Sequence, residues 1–215
     1  MFLHLFMSLL YFVLQGLVVS IAGSVMPSLL NMSVVKYTLK VGKRAGYLLA
    51  FGIVSVIIIQ VNIGAYLSDV LLRNSSYIEL LQKIGTFILI LISIYFLRLH
   101  LKEKEHKEDE NISEINTYKH GLIISSMNTF AIPFYFAAGI LLSRLNFFEY
   151  NIKNSLFFSI GSVLGSLIVY FGYITLASKI EKRLNSLATK MNLILCIITG
   201  LAGLGNLLNL IYRNI

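Results

Sequence analysis

The sequence predicts an all-α integral membrane protein, with six transmembrane helices arranged as an inverted repeat of three plus three and the first and fourth helices interrupted. Three observations carry that prediction. Of 215 residues, 57% are hydrophobic and 13% charged, with mean hydropathy +0.79; the chain is too apolar for a soluble domain and too poor in charge to solvate one. Six apolar runs each reach the ~20 residues that a spanning helix needs. Two near-identical pentapeptides, Gly16-Leu17-Val18-Val19-Ser20 and Gly121-Leu122-Ile123-Ile124-Ser125, lie in two of those runs, each followed within a few turns by one of the only two prolines, Pro27 and Pro133.

The runs cover residues 3–35, 45–72, 78–97, 121–145, 155–177 and 191–212. Backbone polar groups in lipid must be satisfied internally, which leaves helices or a closed barrel. A barrel requires alternating segments, and stretches such as 54–59 and 87–92 are continuously apolar. Residues 1–22 resemble a secretory signal in length, but they start without Lys or Arg and the apolar run continues past them, so they are expected to remain as the first span.

The first run exceeds one straight span by about ten residues and contains Pro27, which predicts a broken or strongly tilted helix. Pro133 lies near the middle of the fourth run, where it removes one donor and frees a carbonyl one turn earlier. Gly16, Ser20 and Gly23, like Gly121, Ser125 and Asn128, are spaced i, i+4, i+7 and share a helix face. A repeat whose two copies both carry an interruption is the pattern of secondary transporters.

In the second and fifth runs, Gly52 with Ser55 and Gly161 with Gly165 form small-residue faces, expected where those spans cross the broken helices at Gly16, Ser20, Gly121 and Ser125. The lone Cys196 lies in the sixth run and is read as a packing residue, which excludes an intrachain disulfide. Residues 1–97 form the first repeat, 98–119 a charged cytoplasmic linker, and 120–215 the second repeat.

Thirteen of the 18 Lys and Arg residues fall between spans one and two, three and four, or five and six; Arg73, Lys83, Arg144, Lys153 and Arg213 make up the other side. The positive-inside rule then places the rich loops in the cytoplasm and both termini outside. Three spans per half is odd, so the second copy runs upside down.

Six of ten carboxylates lie in the linker, and Asp69, Glu79, Glu149 and Glu181 fall at or beyond span ends. Hard-cation sites and proton relays therefore lack their usual acids at membrane depth. The four histidines form no ligand pair, and no catalytic constellation, metal site or cofactor motif is present. The spans hold neutral polar residues instead, including Gln60 and Asn62 in the second. The candidate substrate-binding residues are Ser24, Pro27, Asn31, Asn128, Thr129 and Pro133, grouped at the two interruptions.

The chain resembles the lysine exporter (LysE-like) family of amino-acid exporters, whose first span ends in Pro-Gly-Pro and leads to a basic Gly-Arg-x-x-Gly turn. Pro27 matches the first proline, Gly42-Lys43-Arg44-Ala45-Gly46 the turn, Gly52 a glycine of the second span, and Asn128 the asparagine of the fourth-span Asn-Pro-Lys. Gly85 and Gly200 match glycines early in spans three and six. Ser28-Leu29 and Thr129-Phe130 stand where the family has Gly-Pro and Pro-Lys.

The resemblance implies a non-enzymatic secondary transporter in a bacterial cytoplasmic membrane, exporting a small polar metabolite, foremost an amino acid. Its partners would be that small molecule and the lipid bilayer, with no nucleic acid and homo-oligomerisation left open. A non-transporting scaffold that keeps the fold, or a metal-ion exporter, are the alternatives; the missing intramembrane carboxylates disfavour the second.

Overall fold

The computed structural model describes residues 2–26, 28–74, 76–102, 116–128 and 130–213. Within them the regular structure is helical throughout: α1 (Phe2–Ser24), α2 (Leu29–Lys40), α3 (Lys43–Arg73), α4 (Ser76–Lys102), α5 (Thr117–Ser126), α6 (Ala131–Arg144) and α7 (Ile152–Arg213). The linker residues 103–115, with Pro27 and Thr129, lie outside the described residues.

Among the described residues two helices, α3 and the Ile152–Ile180 part of α7, are long and apolar enough to cross a membrane. The count becomes four if α1 with α2 and α5 with α6 are each one span, bent by 78° and 60°. With 12 residues α2 is about 18 Å long, and α5 with 10 about 15 Å, each near half of a ~30 Å hydrocarbon core. Each break thus divides its pair within the length of a span rather than at the pair's end.

At the first break Ser28 is extended (φ −137°, ψ 170°) and its hydroxyl accepts from the Asn31 amide at 3.4 Å, capping α2. At the second break the role of Pro133 differs from the sequence expectation. The bend falls between the end of α5 at Ser126 and the start of α6 at Ala131, ahead of Pro133, which is the third residue of α6. A first-turn residue has no intrahelical acceptor for its amide, so proline there removes no ladder bond. Phe134 then restarts the ladder by donating to the Phe130 carbonyl at 3.0 Å.

A second difference concerns the fifth and sixth runs, which the hydropathy separates but which lie on one helix of 62 residues. The intervening segment 178–190 contains neither Pro nor Gly and is rich in Lys, Arg, Glu, Leu and Ala, good helix formers. Charge ends an apolar run without ending a helix. Between α2 and α3 the turn is sharp because Gly42 adopts φ +121°, a conformation that glycine enters freely.

The helices gather into two compact units. The smaller, Arg73–Glu110 with Lys182–Ile215, contains α4 and the later part of α7. Here Ser93 donates to the Cys196 carbonyl at 2.9 Å, and a Cβ on Gly200 would stand 2.9 Å from the Ser93 hydroxyl oxygen.

The larger unit, Met1–Leu72 with Asn111–Glu181, contains the two bent pairs, α3 and the first part of α7. Val34, Leu49, Ile53, Val61 and Ile174 are buried at its core. Its helices cross where glycine replaces a side chain. A Cβ on Gly16 would overlap the Phe158 carbonyl, and one on Gly161 the Val13 carbonyl, so α1 lies directly on α7. Likewise a Cβ on Gly121 would overlap the Leu49 carbonyl, and one on Gly52 the Tyr118 carbonyl, so α5 lies directly on α3. Gly165 faces Leu17 and Ser20 on α1.

One end of this unit collects basic segments: Tyr37 stacks on His120 with ring centroids 5.3 Å apart, and Gly46 meets Thr38 and Ile174. At the other end Gln15 donates to the Phe147 carbonyl at 2.7 Å and Tyr66 packs edge-on to Tyr150.

Candidate functional site

Breaking a helix leaves the last carbonyls of its first half without intrahelical donors. In lipid each such group needs a partner, so the residues that supply one mark the site. At the end of α1 three successive carbonyls are satisfied by side chains. Asn31 donates its amide protons to Ser24 at 2.9 Å and to Met26 at 2.6 Å, and the Tyr173 hydroxyl donates to Val25 at 2.9 Å.

Asn31 is 1% exposed and its Oδ1 is buried with no hydrogen-bond partner among the described residues. One turn below lies a hydroxyl cluster. Ser20 is 2.6 Å from the Ser166 hydroxyl and 3.1 Å from that of Tyr135, and Ser24 is 3.2 Å from Ser166. Tyr170, fully packed on α7, has its hydroxyl in reach of Ser24. The Phe134 ring lies over Gly23. The end of α1 thereby meets α2, α6 and α7 within one polar cluster.

The second break has a counterpart on α3. Gln60 donates to the Ser125 carbonyl at the end of α5 at 2.9 Å, while its own Oε1 is buried and unpartnered among the described residues. Ser125 donates to the Ile53 carbonyl at 3.0 Å, and Asn128 accepts from the Phe130 amide at 3.3 Å across the bend. On the α3 to α7 seam, Ser155 donates to Asn62 at 2.7 Å.

Of the six substrate-site candidates, Ser24 and Asn31 are brought together. Asn128 closes its own turn at the other break, and Pro133 is exposed in the first turn of α6. Among the described residues no hydrogen bond joins Asn128 to Ser24 or Asn31. Pro27 and Thr129 lie outside them. Ser20 and Ser125, read as packing positions, carry hydrogen bonds between helices.

Sequence reasoning missed Tyr135 and Ser166. A signal for Ser166 was present: Ser155, Ser159, Ser162 and Ser166 follow i, i+4, i+7, i+11 and are all buried. Tyr135 gave none beyond its hydroxyl in an apolar run.

Chemically, the cluster offers hydroxyls, an amide oxygen and helix-terminal backbone groups, a set suited to hydrogen-bonding a polar solute. Among the described residues no three His, Cys, Asp or Glu side chains gather as metal ligands. A family model described as LysE type translocator matches residues 21–209, which take in both breaks. The chain belongs to the LysE type translocator family. Neither a curated protein nor a solved structure matches it. As a LysE type translocator it is a multi-pass membrane transporter. In this translocator the two breaks, with the side chains that satisfy them, form the candidate transport site.

Proposed function

We propose that this chain is a secondary exporter that carries an amino acid out across the bacterial cytoplasmic membrane. The observation that carries the reading is Asn31: its amide closes two carbonyls at the end of a broken helix, and its buried Oδ1 has no donor among the described residues. Interrupted helices at the midplane are where secondary transporters bind their solutes.

The reading includes an inverted repeat of three spans plus three, six in all, and so requires the chain to turn between spans five and six, within the 178–190 segment where α7 is continuous. An offset of 105 residues carries Val13 to Tyr118 and Gly16 to Gly121; one of 109 carries Leu49 to Phe158 and Gly52 to Gly161. The close contacts of α1 on α7 and of α5 on α3 therefore interchange under the repeat, which supports the duplication. The two units take equivalent parts of each half: spans one, two, four and five in one, three and six in the other. The basic α2–α3 turn and the start of α5 meet at one end of their unit, which favours a cytoplasmic placement of that end and both termini outside.

Cells expressing the protein and fed dipeptides should accumulate less of the exported amino acid than cells lacking it. Equal accumulation of all twenty would sink the amino-acid reading.

A further inference from the structure

The glycine contacts sort five helices of the larger unit into two bodies. Backbone lies on backbone where Gly16 and Gly161 join α1 to α7, and where Gly52 and Gly121 join α3 to α5. The same holds for α3 with α6, because a Cβ on Gly64 would stand 2.8 Å from the Phe136 amide nitrogen. Between the α1–α7 body and the α3–α5–α6 body, among the described residues, the glycines meet side chains only: Phe134 lies over Gly23, and Ile174 meets Gly46. Interlocked backbones move together, whereas side chains that touch across a seam can part. Each body draws on both halves of the chain.

The α6–α7 connection crosses this seam. Asn146, in the left-handed conformation at φ +58°, closes a Schellman cap on α6: its amide donates to the Ser143 carbonyl at 3.0 Å and that of Phe147 to the Leu142 carbonyl at 2.8 Å. The Phe148 amide also donates to Leu142, at 3.2 Å. From Glu149 onward the chain is tied to α7, where the Asn151 side chain accepts from the Asn154 amide at 2.8 Å and the Asn154 side chain donates to the Glu149 carbonyl at 2.8 Å. Phe148 therefore has its backbone on one body and its ring in the other. That ring is 4% exposed and meets Phe12 of α1 edge-on at 5.8 Å and Phe158 of α7 at 5.3 Å. Beside it the Gln15 side chain of α1 donates across the seam to the Phe147 carbonyl at 2.7 Å.

We infer that Phe148 and Gln15 form the gate at this end of the unit, a ring and a hydrogen bond that hold the two bodies shut and release when they swing apart about the Phe148–Glu149 peptide. Transport of any solute requires that its path open to each side in turn, so the gate does not depend on which solute is carried. Its closed state is poised for reversal. Burial of one phenyl ring favours closure roughly tenfold or more, but closure also buries the Gln15 Oε1 with no partner among the described residues, a penalty that entering water removes. Ser159, next to Phe158 and on the α7 face of Ser162 and Ser166, is 2% exposed and becomes wet when the gate opens.

The test is thiol labelling of the full-length protein in sealed vesicles, in a Cys196→Ser background, with an impermeant methanethiosulfonate added on the face from which Lys153→Cys is labelled. Ser159→Cys reports on the seam. Ser68→Cys, at a position 1% exposed against Gly139 in the α3–α6 crossing, reports on the interior of one body. Labelling follows the open fraction when opening and closing outpace the reaction, so Ser159→Cys should react roughly tenfold or more slowly than Lys153→Cys. Phe148→Ala should speed Ser159→Cys roughly tenfold, the scale of the buried ring, and Gln15→Leu roughly two- to tenfold, the scale of one hydrogen bond. Ser68→Cys should keep its rate in both.

Unchanged labelling of Ser159→Cys in both gate variants overturns the inference. So does labelling of Ser159→Cys as fast as Lys153→Cys with the gate intact, since this end would then stand open. An equal rise at Ser68→Cys and Ser159→Cys overturns it as well, because the whole unit would have loosened and not one seam. If Phe148→Ala falls short of wild-type membrane abundance, Gln15→Leu, which keeps the bulk of a half-buried side chain, decides alone.

Discussion

Gly52 on α3 and Gly121 on α5 face each other so closely that neither position has room for a methyl group: a Cβ on Gly52 would stand 3.0 Å from the Gly121 Cα, and one on Gly121 3.1 Å from that of Gly52. Both would also overlap backbone carbonyls, of Tyr118 and Leu49. Backbone cannot move aside as a side-chain tip can. Gly121→Ala should therefore force the helices apart and destabilise the unit by about 1–3 kcal/mol. Gly172, with nothing within 4 Å of its would-be Cβ, is the control, and Gly172→Ala should be neutral or slightly stabilising through helix propensity. Melting temperatures in detergent decide it; equal melting of the two variants contradicts the close crossing.

The Ser20 to Ser166 contact at 2.6 Å ties α1 to α7. A double-mutant cycle of Ser20→Ala and Ser166→Ala should give a coupling of roughly 0.5–1.5 kcal/mol, the range for hydrogen bonds between membrane helices. Additive losses would mean that the two hydroxyls are held by other groups.

Asn31→Ala removes both donors from the part-buried Ser24 and Met26 carbonyls, at about 1 kcal/mol each. Asn31→Asp keeps an acceptor at the same place but loses the donating nitrogen, so it should lose stability to a similar degree. Both should abolish export. Thermal melting with Asn31→Asp near wild type would show that the amide donors do not hold the break together.

Orientation can be read by thiol labelling in a Cys196→Ser background. An impermeant reagent added outside intact cells should label Lys153→Cys, and should label Lys43→Cys only after permeabilisation. The opposite pattern would invert the proposed topology. Both lysines are exposed at ends of their helices, so neither substitution disturbs packing.

Much of the architecture was legible before any coordinate. Helices in apolar runs follow from backbone hydrogen bonding in lipid, which is a property of composition alone. The glycine crossings of Gly16, Gly52, Gly121 and Gly161 stood out because small residues at helical spacing have little other use in a span. The second break lies one turn ahead of Pro133, as expected, but the part assigned to that proline was wrong. Proline signals a discontinuity nearby, but it is also at home in a first turn, and Pro133 stands just past the bend. The continuous α7 escaped because hydropathy reports where a chain meets lipid and says nothing of whether the helix continues beyond.

The site divided in the same way. Ser24 and Asn31 were visible as polar residues on either side of Pro27, seven positions apart in the sequence. Their partners were not. Tyr135 and Ser166 are 115 and 146 residues from Ser20, and one chain read alone contains no signal for which hydroxyls meet across such separations.

By itself the sequence determined that this is a helical membrane chain, where its first helix breaks and which glycines its helices cross on, because each depends on local spacing and on the solvent around it. The tertiary structure alone decided which carbonyls the Asn31 and Gln60 amides close and that their oxygens find no partner among the described residues. Those assignments depend on distances between helices set by packing, and packing is a property of the whole fold.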